Sequence, residues 1–232
     1  ICDEYNLIHI SDACHALGAE YQKQKIGSLA DLTCFSFHPV KHITTGEGGA
    51  ITTNNSKYQE RLCLFRNHGI TTDYRQREKQ GNWFYEMTEL GYNYRITDIQ
   101  CALGISQFKK LSLWLKERKQ IAEKYNDAFS KTSIKRLTNT SDIVNAYHLY
   151  VVKVKNRDII FSKLRSLGIG VNIHYIPVHL HPYYQDNFGT GLGDCPVAEK
   201  VYTEILSLPI YPDLKENEQD FVINSLKDLA DG

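Results

Sequence analysis

The chain has 232 residues, enough for one large domain or two small ones, and 42% of them are apolar, so a core can form. Its 27 basic and 27 acidic residues cancel, which removes the electrostatic case for nucleic acid or an anionic membrane as a partner. No apolar run approaches the length that spans a bilayer, and six scattered cysteines with no C-x-x-C pair read as reduced thiols of a cytoplasmic protein rather than a disulfide framework.

The opening "ICDEYNLIHISDACHA" has no initiator Met and no signal-peptide pattern. It reads as the end of a polar helix running straight into a short buried strand over 7–11, so the N-terminal part of a larger protein is expected to be missing. A turn or short helix over 13–20 follows. "LTCFSF" (32–37) and "GAITTN" (49–54) are strands rich in β-formers, joined by a loop that carries Lys41 and closes on "GEGG". "SKYQERLCLFRNHG" (56–69) has helical spacing and a terminal glycine. Residues 70–90 are polar and aromatic without a period, a long functional or interfacial loop. Thr97 with Gln100 forms a capping box, and from there a helical pattern runs to about Phe129, broken or bent near residue 112.

Beyond residue 132 the style changes to a small α+β domain. "AYHLYVVKV" (146–154) is a strand, "RDIIFSKLRSLG" (157–168) a helix and "IGVNIHY" (169–175) a strand. "HPYYQDNFGTGLGDCP" reads as a loop, "VAEKVYTEILSLP" as a helix and "ENEQDFVINSLKDLA" as a last amphipathic helix. The expected division is 1–115, the C-terminal part of a large α/β domain, and 116–232, the small domain, joined by the long helix.

Two residues stand out chemically. Lys41 follows Phe35 and Phe37, is flanked by His38 and His42, and precedes a glycine-rich turn. As a type, lysine is most often a solvated surface charge. Held in an apolar pocket, its amine becomes a nucleophile. Asp12 lies just past an apolar strand, where α/β sheets bind ligands. Either Ser11 or Asp12 caps the next turn, or Asp12 is a buried carboxylate facing a cationic ring nitrogen. A Schiff-base lysine with an acidic pyridinium partner is what pyridoxal phosphate chemistry requires. A metal hydrolase built on His174, His179, His181 and Asp186 is a competing reading, but no H-E-x-x-H or comparable spacing occurs, and Pro177 and Pro182 interrupt the run. A non-catalytic fragment that serves as an interaction surface is a third.

The stretches "DACHALGAEY", "GSLADLTCFSFHPVKHITTGEGGAITTN", "RNHG", "ELGYNYRITDIQCALGISQFKKL", "GIGVNIHYIPVHLHPYY" and "LSLPIYP" resemble, in order and spacing, the DegT/DnrJ/EryC1/StrS sugar aminotransferases, most closely their pseudaminic-acid branch. The resemblance runs from residue 7 to the end. It implies the pyridoxal-phosphate-dependent transferase fold of type I, aspartate aminotransferase-like. It implies transfer of an amino group from glutamate to C4 of a UDP-4-keto-6-deoxy-N-acetylhexosamine. By position, Lys41 matches the lysine that bonds the cofactor and Asp12 its pyridinium partner. His15 stands where the family has Gln or His beside the ring, and Ser36 matches a hydroxyl on the cofactor phosphate. Asn93 matches an asparagine that reaches the phosphate from the other subunit of a homodimer. His174, Tyr175, Ile176 and Pro177 match a loop near the sugar nucleotide. One subgroup of the fold has histidine in place of the lysine and dehydrates sugars, so Lys41 favours transamination. Family members carry substantial sequence ahead of the Asp12 motif.

Overall fold

The computed structural model describes residues 1–231, which fall into two compact units divided between Leu111 and Ser112. In the first unit, a short helix α1 (Cys2–Tyr5) leads to β1 (Ile10–Asp12). A small hairpin, β2 (Glu20–Tyr21) and β3 (Gln24–Lys25), precedes β4 (Leu32–Ser36) and β5 (Gly49–Thr52). β1 runs parallel to β4 with Asp12 opposite Cys34, and β4 runs antiparallel to β5 with Ser36 opposite Gly49. The carboxyl ends of β1 and β4 and the start of β5 therefore share one edge of the sheet. The stretch over 7–11 was expected to be buried; Leu7, Ile8 and Ile10 are instead exposed, because no described residue covers that face of β1.

Helix α2 (Ser56–Phe65) is capped by Asn55. The stretch 70–90 is not structureless. Asp73 and Gln76 form a capping box for α3 (Tyr74–Gln80), which ends at Gly81 in the left-handed conformation. Those signals are local and polar, so a search for apolar periodicity passes over them. The capping box of Thr97 and Gln100 opens α4 (Asp98–Phe108). The expected long helix breaks at Lys109–Lys110, and α5 (Leu111–Ala128) follows.

The second unit adds β6 (Lys135–Arg136), β7 (Ile143–Val144), β8 (Tyr150–Lys153), α6 (Arg157–Ser166), α7 (Pro182–Phe188), α8 (Pro196–Glu204), β9 (Ile205–Leu208) and α9 (Glu216–Asp231). β8 is the middle strand of an antiparallel sheet between β6 and β9. Tyr125 and Phe129 of α5, Ile160 and Leu164 of α6 and Val222 and Leu226 of α9 pack in one core with Val152, Leu206 and Leu208 of the sheet. The Tyr125 hydroxyl donates to the Pro209 carbonyl at 2.9 Å, so this buried ring leaves no polar tip unmatched.

Three expectations are corrected here. "ILSL" is strand β9 and not the end of a helix. All four of its residues are buried, and a continuous apolar run carries no period to separate helix from strand. The loop over 181–196 contains α7, started by Pro182 and stopped by left-handed Gly189. "IGVNIHY" is not a strand: Ile169 and Val171 are buried, but only Asn172 bridges to the sheet, at Ser207.

Candidate active site

The Lys41 loop, residues 37–48, is tied shut at its base. The Phe37 carbonyl accepts from the Thr45 amide at 3.0 Å and the Thr44 hydroxyl at 3.1 Å, while the Phe37 amide donates to the Gly48 carbonyl at 2.8 Å. Inside the loop, the Thr45 hydroxyl donates to the Glu47 carbonyl at 2.7 Å and the Lys41 amide to the His38 carbonyl at 2.9 Å. Gly48 has φ +151°, and a Cβ there would lie 2.4 Å from Thr45 Oγ1, so only glycine fits. Helix α4 braces the loop from outside. Gln100 Nε2 donates to the Glu47 carbonyl at 3.0 Å, and Gln107 Oε1 accepts from the Thr44 amide at 3.3 Å. A Cβ on Gly104 would come within 2.9 Å of the Thr45 methyl. Of these bracing residues, sequence pointed to Gln100 only as part of the capping box and did not single out Gly104 or Gln107. The one visible signal was Gly104, a glycine within a helix, which costs helix stability and so marks a close approach.

Lys41 is half-buried and Asp12 exposed. Asp12 is exposed because the carboxyl edge of the sheet is open. Its carboxyl is held below the ordinary range, first by a hydrogen bond from the Cys14 thiol, then by one from the Cys14 amide at 3.0 Å. Slight burial works the other way, and the positive charges of His15 and Lys41 lower it further. Burial, then donation to Asp12, pushes the Cys14 thiol up to about 11, so it stays a protonated donor at neutral pH. Cys14 is a second residue that sequence reasoning left unassigned. Asp12 thus does cap a turn, through the Cys14 amide, and also lies within the electrostatic reach of Lys41, though it is exposed rather than buried.

Asp12 lies within electrostatic reach of His15 and Lys41, and Ser36 stands at the carboxyl end of the adjacent strand, where its Oγ accepts from the His38 amide at 3.3 Å. Asn93 belongs to the same unit but is held elsewhere in the hydrogen-bond network. It bridges to Asn67, between the Tyr92 amide on the Phe65 carbonyl (2.7 Å) and the Tyr94 amide on the Arg66 carbonyl (2.9 Å), and its side chain is exposed. His174, Tyr175, Ile176 and Pro177 lie in the second unit. His174 is tied to Ser207, and Tyr175 and Ile176 are exposed. Among the described residues, no group of three or more His, Cys, Asp and Glu could hold a metal ion, and no helix is long and apolar enough to cross a membrane.

A carboxylate kept ionised, an amine within its electrostatic reach, and a hydroxyl at the end of the adjacent parallel strand are groups of the kind that an aromatic cation carrying a phosphate requires. The fold is that of the type I pyridoxal-phosphate-dependent transferases, shared with solved sugar aminotransferases. The sequence profile of the DegT/DnrJ/EryC1/StrS aminotransferase family matches residues 1–227, and the chain belongs to that family. An uncharacterized protein of Methanocaldococcus jannaschii is 41% identical over 238 residues, covering 99% of this chain and 62% of its own length. A UDP-4-amino-4,6-dideoxy-N-acetyl-beta-L-altrosamine transaminase of Campylobacter jejuni is 38% identical over 234 residues, covering 97% and 59%. A Streptococcus pneumoniae protein solved in its PLP form superposes with a TM-score of 0.89 at 31% identity, over 99% of this chain and 59% of that one. The chain thus spans about 60% of the length of the relatives it matches.

Proposed function

We propose that the full-length protein is a pyridoxal-phosphate-dependent transaminase. It moves an amino group from glutamate to C4 of a UDP-4-keto-6-deoxy-N-acetylhexosamine, on the route to pseudaminic acid. The observation that carries this reading is the placement of Asp12 at the carboxyl end of β1, held ionised chiefly by the Cys14 thiol and amide and within electrostatic reach of Lys41. The Campylobacter jejuni relative, named as a transaminase of a UDP-4-amino sugar, supports the substrate class.

Each residue has a physical task in this proposal. When bound, pyridoxal phosphate supplies an aldehyde carbon and an electron-withdrawing ring. Asp12 holds a proton on the ring nitrogen by charge, and its lowered pKa keeps it an acceptor at neutral pH. The Lys41 amine attaches the cofactor. With the cofactor bound, the free Lys41 Nζ would accept the proton from the amino donor's α-carbon in one half-reaction and deliver a proton to C4 of the sugar in the other. His15 lies beside the ring, and the Ser36 hydroxyl donates to the phosphate. Asn93 donates to the phosphate of the partner subunit in a homodimer. Residues 174–177 contact the sugar nucleotide.

Borohydride reduction of the loaded full-length protein followed by peptide mapping tests the reading. The pyridoxyl mass is expected on Lys41, and a label on any other lysine overturns the assignment.

A further inference from the structure

Residues 175–177 form an arch with two polar feet. At the first foot, the Asn172 and Ser207 backbones exchange hydrogen bonds of 3.2 and 2.8 Å. The Asn172 side chain is oriented by its Oδ1, which accepts from the Ile173 amide at 2.8 Å. Its Nδ2 therefore donates to His174 Nε2 at 3.3 Å, which leaves the proton on His174 Nδ1 to donate to Ser207 Oγ at 2.9 Å. Ser207 is buried in β9. Both ring nitrogens of His174 are engaged by the protein.

At the second foot, the Leu180 amide donates to the Pro177 carbonyl at 2.9 Å, closing a short helical turn that carries His179. His179 Nε2 lies 2.8 Å from Glu199 Oε1, and both side chains are nearly buried. The same carboxylate accepts the Gly193 amide at 2.9 Å and the Cys195 amide at 3.2 Å. The Thr190 hydroxyl donates to the His179 carbonyl at 2.8 Å. Between these feet Tyr175 and Ile176 face solvent, 60% and 45% exposed. Exposed side chains fixed at both ends by buried polar anchors are preorganised for a ligand, since the ordering cost is met before binding.

We propose that Glu199 and Ser207 are positioning residues that set the affinity for the nucleotide sugar by holding the Tyr175–Pro177 arch, with His174 fixed in the first foot by Asn172 and Ser207. This rests on the reading of the protein as a nucleotide-sugar transaminase. In the full-length holoenzyme, Glu199→Ala and Ser207→Ala are expected to raise KM for the UDP-4-keto sugar about tenfold. The rate of the half-reaction with glutamate should be unchanged in both. Calorimetry with UDP-N-acetylglucosamine as an unreactive probe should show the same weakening.

A double-mutant cycle separates positioning from general loosening. In a Tyr175→Ala background, Glu199→Ala should add little, because its effect runs through the arch. Glu199→Gln keeps an acceptor for the Gly193 and Cys195 amides and loses the charge facing His179, so it should give a smaller rise and serves if the alanine variant does not fold. Unchanged KM in folded variants, an additive cycle, or an equal loss in the glutamate half-reaction overturns the proposal. A wild-type enzyme that converts no UDP-4-keto sugar overturns the proposed function itself, and this inference with it.

Discussion

The two units are built on different principles. The second is organised around one core, in which Leu206 is 0% exposed and α5, α6 and α9 cover a three-stranded sheet. The first buries few large apolar side chains, chiefly Phe35 and Ile43, and leaves Ile10, Ile99, Leu103 and Phe108 in water, Ile99 at 85% exposure. Its order comes from hydrogen-bonded turns: the closed Lys41 loop, the capping boxes and the Asn67–Asn93 bridge. Apolar surface left in water contributes nothing to folding, and single hydrogen bonds are worth only about 1 kcal/mol net. Within the described residues, the unit that carries the proposed chemistry buries less of its own apolar surface than the other.

A crossed pair of substitutions gives the largest effects. Lys41→Ala should lower turnover by about four orders of magnitude or more, since it removes both the covalent anchor and the proton carrier. It should change stability by less than about 0.5 kcal/mol, as expected for a residue outside the core. Leu206→Ala should cost about 2–5 kcal/mol, from lost transfer energy plus a cavity. Denaturant titration and single-turnover kinetics on both variants check the contrast. If Lys41→Ala unfolds the protein, or Leu206→Ala leaves stability intact, the contrast between the units is wrong.

Asn93→Ala comes next. A charge-assisted bond to a phosphate oxygen is worth roughly 1.5–3 kcal/mol, so cofactor affinity should fall about ten- to a hundred-fold. Hybrid dimers of a Lys41→Ala subunit with an Asn93→Ala subunit show whose site it serves. If Asn93 acts across the dimer, one site carries both lesions and the other neither, and about half the activity returns by that count. No recovery in a verified hybrid would place Asn93 in its own subunit's site.

The smallest effect is a pH dependence in the second unit. The Glu199 carboxyl is held below its ordinary value of 4.5, first by His179 and then by the Gly193 and Cys195 amides. Its folded pKa lies below the unfolded one, so between the two the unfolded chain binds more protons. The contribution is present above about pH 4.5 and is lost as pH falls through the folded value. Glu199→Gln should flatten the acid limb of the stability curve by lowering stability at neutral pH and leaving it unchanged below the folded pKa. Identical acid limbs in the two proteins would show that the pair does not hold the 190–195 segment in solution.

Much was legible in the residues alone. Strands 32–36 and 49–52, the helices starting at Ser56, Asp98, Arg157 and Glu216, the Thr97 capping box and the motifs around Lys41 all announce themselves through local patterns: alternation, helical spacing, caps and glycine stops. These depend on neighbours within a few positions, which a sequence displays. What stayed hidden depends on partners distant in the chain. "ILSL" became β9 because β8 pairs with it, and an apolar run has no period of its own to decide the matter. "IGVNIHY" had the alternation of a strand but only one bridging residue. The exposure of Asp12 and Lys41, the thiol of Cys14 on the Asp12 carboxylate and the bracing of the loop by Gln100, Gly104 and Gln107 were likewise set by the tertiary structure. The sequence by itself determined which groups are available and the order in which they occur. Only the folded chain decided which of them meet, because burial and charge depend on atoms that no local pattern names.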